Sequence, residues 1–250
     1  MEKFQGKTIW IIGASSGIGA ALARELANSG AKLVLSARRE EELRKLNRTL
    51  GGNHLVCPLD ISDAKAAKEA MSEINKFGAT LDSVIFLAAI YSAHDGKPKD
   101  IETIHKMLDV NLGGAFNTVD AVQEYFEARG QGQIVLCGSV AGYRGLPTGQ
   151  PYCATKAAII NLAESLHIDL GRKNIDVKVI CPGFVKTPLT DKNDFKMPMM
   201  IEAEEAARAI AKGLQGKAFE IHFPKKFTYI MKALQMLPNW LYFKLIKKVV

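Results

Sequence analysis

Lys7-Thr8-Ile9-Trp10-Ile11-Ile12-Gly13-Ala14-Ser15-Ser16-Gly17-Ile18-Gly19 is the stretch whose reading decides the fold. Its apolar run, rich in isoleucine, predicts a strand buried on both faces. Glycines at 13, 17 and 19 then mark a turn. Leu22, Leu26 and Ala27 follow at the spacing of one helical face. Strand, glycine-rich turn and helix in that order form the opening of a β-α-β unit.

The same alternation continues outward. Strands are predicted at 31–36, 54–58, 83–87, 133–137, 176–181 and 218–222. Helices are predicted at about 40–50, from a Ser62 cap to near Gly78, at 100–111, 114–129 and 149–173, and at 202–215. Strands that are apolar on both faces and separated by helices imply parallel pairing. The fold expected is a single-domain Rossmann fold, with a doubly wound seven-stranded parallel sheet flanked by helices. Ligands of such sheets bind beyond the carboxyl ends of the strands. Residues 1–222 would form the catalytic unit, and 223–250 a basic amphipathic helical extension of it.

Hydrophobic residues at 48% and charged residues at 24% match an ordinary globular chain, which excludes a disordered or fibrous one. Met1-Glu2-Lys3-Phe4-Gln5-Gly6 runs straight into the first strand, so no secretory leader is expected there. Cys57, Cys137, Cys153 and Cys181 are scattered, as in a reduced cytoplasmic chain. The five histidines are equally dispersed, and no metal site is expected. Net charge is +7, yet no acid follows Glu220, while Lys225, Lys226, Lys232, Lys244, Lys247 and Lys248 do. Those six removed, the first 224 residues carry only +1, which argues against a nucleic-acid-binding body.

In this strand-turn-helix context the glycines suit a dinucleotide. Gly13 permits the tight turn, and Gly17 and Gly19 let a pyrophosphate approach the helix N-terminus. A turn with a purely structural role is the plainer alternative. After the second strand come Ser36-Ala37-Arg38-Arg39, with no acid before Glu40. A carboxylate there would accept from ribose hydroxyls, whereas a guanidinium pairs with a 2′-phosphate. Arg38 is therefore read as the clamp that selects NADP(H), with Arg39 secondary; solvated arginines at a helix start are the alternative. Asp60 either grips the adenine or caps the helix after it.

Ser139 follows the fifth strand, and Tyr152-Cys153-Ala154-Thr155-Lys156 lies thirteen residues on. Tyr152 and Lys156 share a helical face. A phenol near pKa 10 is a poor acid/base at neutrality, and a neighbouring ammonium would lower that value. Ser139 can donate a hydrogen bond to a substrate oxygen.

With Gly13-x-x-x-Gly17-Ile18-Gly19, Asp60, Asn111, Ser139, Tyr152-x-x-x-Lys156 and Pro182-Gly183 followed by Thr187, the sequence resembles the short-chain dehydrogenase/reductase family over roughly 5–222. The resemblance implies an oxidoreductase acting on CH–OH groups, with Tyr152 as proton donor and acceptor. Lys156 would hold the nicotinamide ribose, Ser139 would orient the carbonyl, and Asn111 would anchor a proton-relaying water. It further implies cofactor contacts at Ser15, Ser16, Ile61, Ala88 and Val185, and a homodimer or homotetramer. Leu87-Ala88-Ala89-Ile90 departs from that family's usual Asn-Asn-Ala-Gly, removing two asparagines that steady the central sheet.

Leu146, Pro147, Phe184 and the 189–201 segment with Met197, Met199 and Met200 are expected to wall the substrate pocket. Their apolar character favours a lipophilic ketone, aldehyde or alcohol. The tail from Phe223 reads as two short amphipathic helices hinged at Pro238. They cover the pocket, pack on a second subunit, contact a membrane surface peripherally, or form a flexible tail. Against an active reductase stand two alternatives: a cofactor-binding protein without turnover, and a membrane-associated interaction protein.

Overall fold

In a computed structural model, which describes residues 4–78, 80–92, 100–193 and 197–247, seven parallel strands lie in the order β3-β2-β1-β4-β5-β6-β7. They are β1 (Thr8–Ile12), β2 (Lys32–Ser36), β3 (Leu55–Val56), β4 (Leu81–Phe86), β5 (Gly132–Cys137), β6 (Ile175–Pro182) and β7 (Glu220–Phe223). Every β1 residue is buried, as a central strand's must be. Alternate side chains feed two cores. Trp10 and Ile12 join one with Phe86, Phe126 and Ile159, while Ile9 and Ile11 join the other with Leu22, Leu43 and Ile210.

The first core lies under α3 (Ala64–Lys76), α5 (Gly114–Arg129) and α6 (Tyr152–Gly171). The second lies under α1 (Gly17–Asn28), α2 (Glu40–Thr49) and α7 (Ala203–Leu214). This is the doubly wound sheet that the sequence pattern predicts. A short α4 (Ile101–Met107) runs through a π-helical segment, Leu108–Gly113, into α5. The two helices read separately in the sequence are thus one interrupted rod. The tail forms α8 (Lys225–Gln235) and α9 (Asn239–Ile246), joined at Pro238.

Three local expectations are corrected. Asp63, not Ser62, caps α3, accepting from the Lys65 and Ala66 amides at 2.8 and 3.2 Å. Ser62 is already committed, its hydroxyl donating to Asp60 Oδ1 at 2.7 Å. β3 is two residues rather than five, because the His54 ring takes the Leu33 amide at 3.2 Å and Pro58 has no N–H to donate. The long helix begins at Tyr152 rather than Gly149. Lys248 and residues 194–196 of the expected pocket wall lie outside the described residues.

Candidate active site

Strand order reverses between β1 and β4, and a cleft of about 430 Å³ opens at their carboxyl ends. Every residue read from the sequence as a cofactor contact borders it, Asn111 excepted. Gly13 has φ +98°, and a Cβ there would lie 2.7 Å from the Ala88 nitrogen. Gly17 has φ +53°, and its Cβ would meet the Thr187 methyl at 3.1 Å. Ser16 makes no side-chain cap bond and the first turn of α1 has no acid, so its positive end meets the cleft unscreened. Such a cradle fits a pyrophosphate.

At the end of β2 the two arginines differ. Arg39 donates to Ser15 Oγ at 3.0 Å and so ties α2 to the glycine-rich turn. Arg38 is exposed and forms no hydrogen bond among the described residues, and its charge acts on Asp60. The hydrogen bond from Ser62 is the main reason that the Asp60 carboxyl is held below the ordinary aspartate range. Asp60 therefore braces its own turn instead of capping α3.

At the opposite end Tyr152 opens α6, with Lys156 one turn on and fully buried. Lys156 Nζ donates to the Cys137 carbonyl at 2.7 Å and lies 5.5 Å from the Tyr152 ring centroid. Ser139 Oγ accepts from the Ala141 amide at 3.1 Å and donates to the Pro182 carbonyl at 3.4 Å. Burial raises the Tyr152 phenol well above the ordinary tyrosine value, opposed by a hydrogen bond from Ser139. Lys156 is not among the groups that shift it. The ammonium stands over the ring with one of its three donors on the Cys137 carbonyl, and burial pushes its own pKa down.

Asn111 sits buried in the π-helical segment, a distortion frequent at functional sites. Its side chain accepts from the Ile90 amide at 2.8 Å and donates to the Ile90 carbonyl at 3.0 Å. It also donates to Thr155 Oγ1 at 3.3 Å. Asn111 thus pins the departing Leu87-Ala88-Ala89-Ile90 segment to α6. Leu146 and Phe184 do not border the cleft: Leu146 packs on the core, and Phe184 lies 5.5 Å from Phe227 of α8. Tyr91, which the sequence reading missed, stands edge-on to Tyr152 at 5.3 Å and donates to Asn193 Oδ1 at 2.9 Å. No spacing in the sequence signals that pairing.

Residues 7–197 match the short chain dehydrogenase family. The chain belongs to that family. It is 32% identical over 245 residues to an uncharacterized oxidoreductase of Myxococcus xanthus, covering 97% of each chain. The 3-oxoacyl-[acyl-carrier-protein] reductase FabG of Rickettsia prowazekii is 35% identical over 195 residues, 77% of this chain and 78% of the relative. A gluconate 5-dehydrogenase of Burkholderia cenocepacia, solved with NADP and tartrate, superposes with a TM-score of 0.71 at 30% identity, over 76% of this chain and 75% of that one. A second NADP-bound short chain dehydrogenase of that organism, 23% identical, shares the fold with a TM-score of 0.84 over 97% and 99%. As a short chain dehydrogenase the chain is an NAD(P)-dependent oxidoreductase acting on CH–OH groups. Among the described residues no helix is long and apolar enough to cross a membrane.

Proposed function

We propose that this enzyme interconverts a lipophilic ketone or aldehyde and its alcohol with NADP(H), in the direction of reduction. The observation that carries this reading is the convergence of Ser139, Tyr152 and Lys156 on the same cleft as the uncovered N-terminus of α1. The cofactor, when bound, supplies the hydride. Pyrophosphate would rest on Gly17, Ile18 and Gly19, and the open Arg38 guanidinium would pair with a 2′-phosphate while Arg39 braces Ser15.

Tyr152, with its phenol held protonated by burial, gives its proton to the carbonyl oxygen as negative charge develops there. Ser139 donates to the same oxygen and fixes its position. Lys156, anchored on Cys137, presents its positive charge to the phenolate left behind. Asn111 keeps the cleft-lining Ile90 segment in place. Leu189 and Ile90 border the cleft, with Met199 and Met200 exposed beyond it, and they favour an apolar substrate. Residues 1–222 would act as the catalytic unit of a cytoplasmic homo-oligomer.

A panel of carbonyl compounds followed at the NADPH absorbance band tests the reading. Tyr152→Phe is expected to lower kcat about a thousandfold and to leave NADPH affinity, read by fluorescence titration, nearly unchanged. Undiminished turnover in that variant overturns the assignment.

A further inference from the structure

The tail has a packed inner face and an exposed outer one. α8 turns Phe227, Thr228 and Met231 inward, and Phe227 packs against Phe184 and beneath Gly183 at the edge of the cleft. α9 turns Tyr242 inward, its hydroxyl donating to the Gly145 carbonyl at 2.7 Å. Arg144 lies 4.3 Å from the Tyr242 ring centroid and donates to the Gln235 and Leu237 carbonyls and to Asn239 Oδ1. The inner faces are therefore held by specific contacts, and the outer face has a fixed composition.

That outer face is apolar and basic together. Met236 is 85% exposed, Trp240 70% and Phe243 53%. Lys244 and Lys247 follow Trp240 at the four- and seven-residue spacings of one helical face. On α8, Lys226, Tyr229 and Ile230 are exposed as well. We propose that this outer face of α8 and α9 docks the enzyme on an anionic lipid bilayer.

The composition selects that occupant. Trp and Phe mixed with lysines on a short amphipathic helix lie in the headgroup layer, with the rings in the acyl boundary and the ammonium groups on lipid phosphates. No acid after Glu220 would be repelled. A second copy of this chain is a poorer fit, because a two-fold contact would set this lysine-bearing patch against its own copy, with no acid after Glu220 to pair with it. A docked face would stand behind Phe227 and the Arg144 clasp, at the substrate end of the cleft. An apolar substrate could then pass from the bilayer without crossing open water.

The test is flotation of the full-length chain with phosphatidylcholine vesicles, with and without about a third phosphatidylglycerol. Each lysine near an anionic leaflet is worth about fivefold in partitioning. Lys244→Gln/Lys247→Gln is therefore expected to lose roughly 25-fold on anionic vesicles and little on neutral ones. Trp240→Ala/Phe243→Ala is expected to lose at least about tenfold on both. All four side chains are exposed, and unchanged melting temperatures are expected to show that the fold persists. Absence of wild-type partitioning, equal partitioning on both vesicle types, or variants that float like wild type would each overturn the proposal. A change of mass in lipid-free sedimentation of Trp240→Ala/Phe243→Ala would assign the face to protein contact and overturn it too.

Discussion

Between β1 and α1 the cleft wall is made of backbone, whereas behind the Ser139 loop, between β5 and α9, side chains hold the elements together. At the first end Gly13 approaches the Ala88 main chain and Gly19 approaches the Gly13 carbonyl, so closely that a Cβ on either would collide with main-chain atoms. At the second, Tyr143 of the Ser139 loop donates to Glu220 Oε1, Lys232 of α8 donates to Glu220 Oε2, and Arg144 gathers the α8–α9 junction. The first arrangement tolerates replacement of nearby side chains, as at Leu87-Ala88-Ala89-Ile90, where Asn111 and Gly13 engage only main chain. The second depends on partners far apart in sequence and is open to tuning one residue at a time.

The sharpest way to break this contrast is Gly19→Ala. The added methyl meets a carbonyl that cannot yield without moving the turn, and a cost of about 3 kcal/mol is expected, at the upper end for overpacking. Urea unfolding should show it, and added NADPH should no longer raise the midpoint of the variant. A variant as stable as wild type, and equally stabilised by NADPH, would mean that the turn adapts and that side chains matter at both ends.

Glu220→Gln tests the other end and is expected to cost about 2 kcal/mol, the worth of hydrogen bonds to a charged group. Burial raises the Glu220 pKa, but hydrogen bonds from Lys232 and Tyr143 outweigh it and hold the carboxyl below its ordinary 4.5. A depressed native pKa gives stability that is fully present above 4.5 and lost as pH falls through the native value. The wild type should therefore lose its advantage over Glu220→Gln on acidification below about pH 4.5. Unfolding curves that stay parallel across that range would count against the ion pair as the link between α8 and the Ser139 loop.

The two ends also differ in how much of them can be read from sequence. Strand, glycine turn and helix at 7–28 are local, and each residue's role follows from its neighbours. Tyr152 and Lys156 are legible for the same reason, one turn apart on α6. Asn111 was found, but its hold on Ile90 crosses 21 positions, and Tyr242 reaches Gly145 across 97. No periodicity carries such pairings. The cap of α3 shows the limit at short range: Ser62 and Asp63 are both good caps, and the choice turns on Asp60 having taken the Ser62 hydroxyl.

At the cofactor end, side chains are left with selectivity, and Arg38→Asp isolates it. Arg38 is exposed and forms no hydrogen bond among the described residues, whereas Arg39 is tied to Ser15, so the substitution should leave stability within about 0.5 kcal/mol. A carboxylate in that place repels a 2′-phosphate and accepts from ribose hydroxyls instead. Losing one charge-assisted contact corresponds to roughly a tenfold drop in kcat/KM with NADPH, while turnover with NADH should hold or rise. The ratio of the two, measured on one carbonyl substrate, is the readout. An unchanged ratio would move the clamp to Arg39, and the brace on the glycine-rich turn would then be a cofactor contact as well.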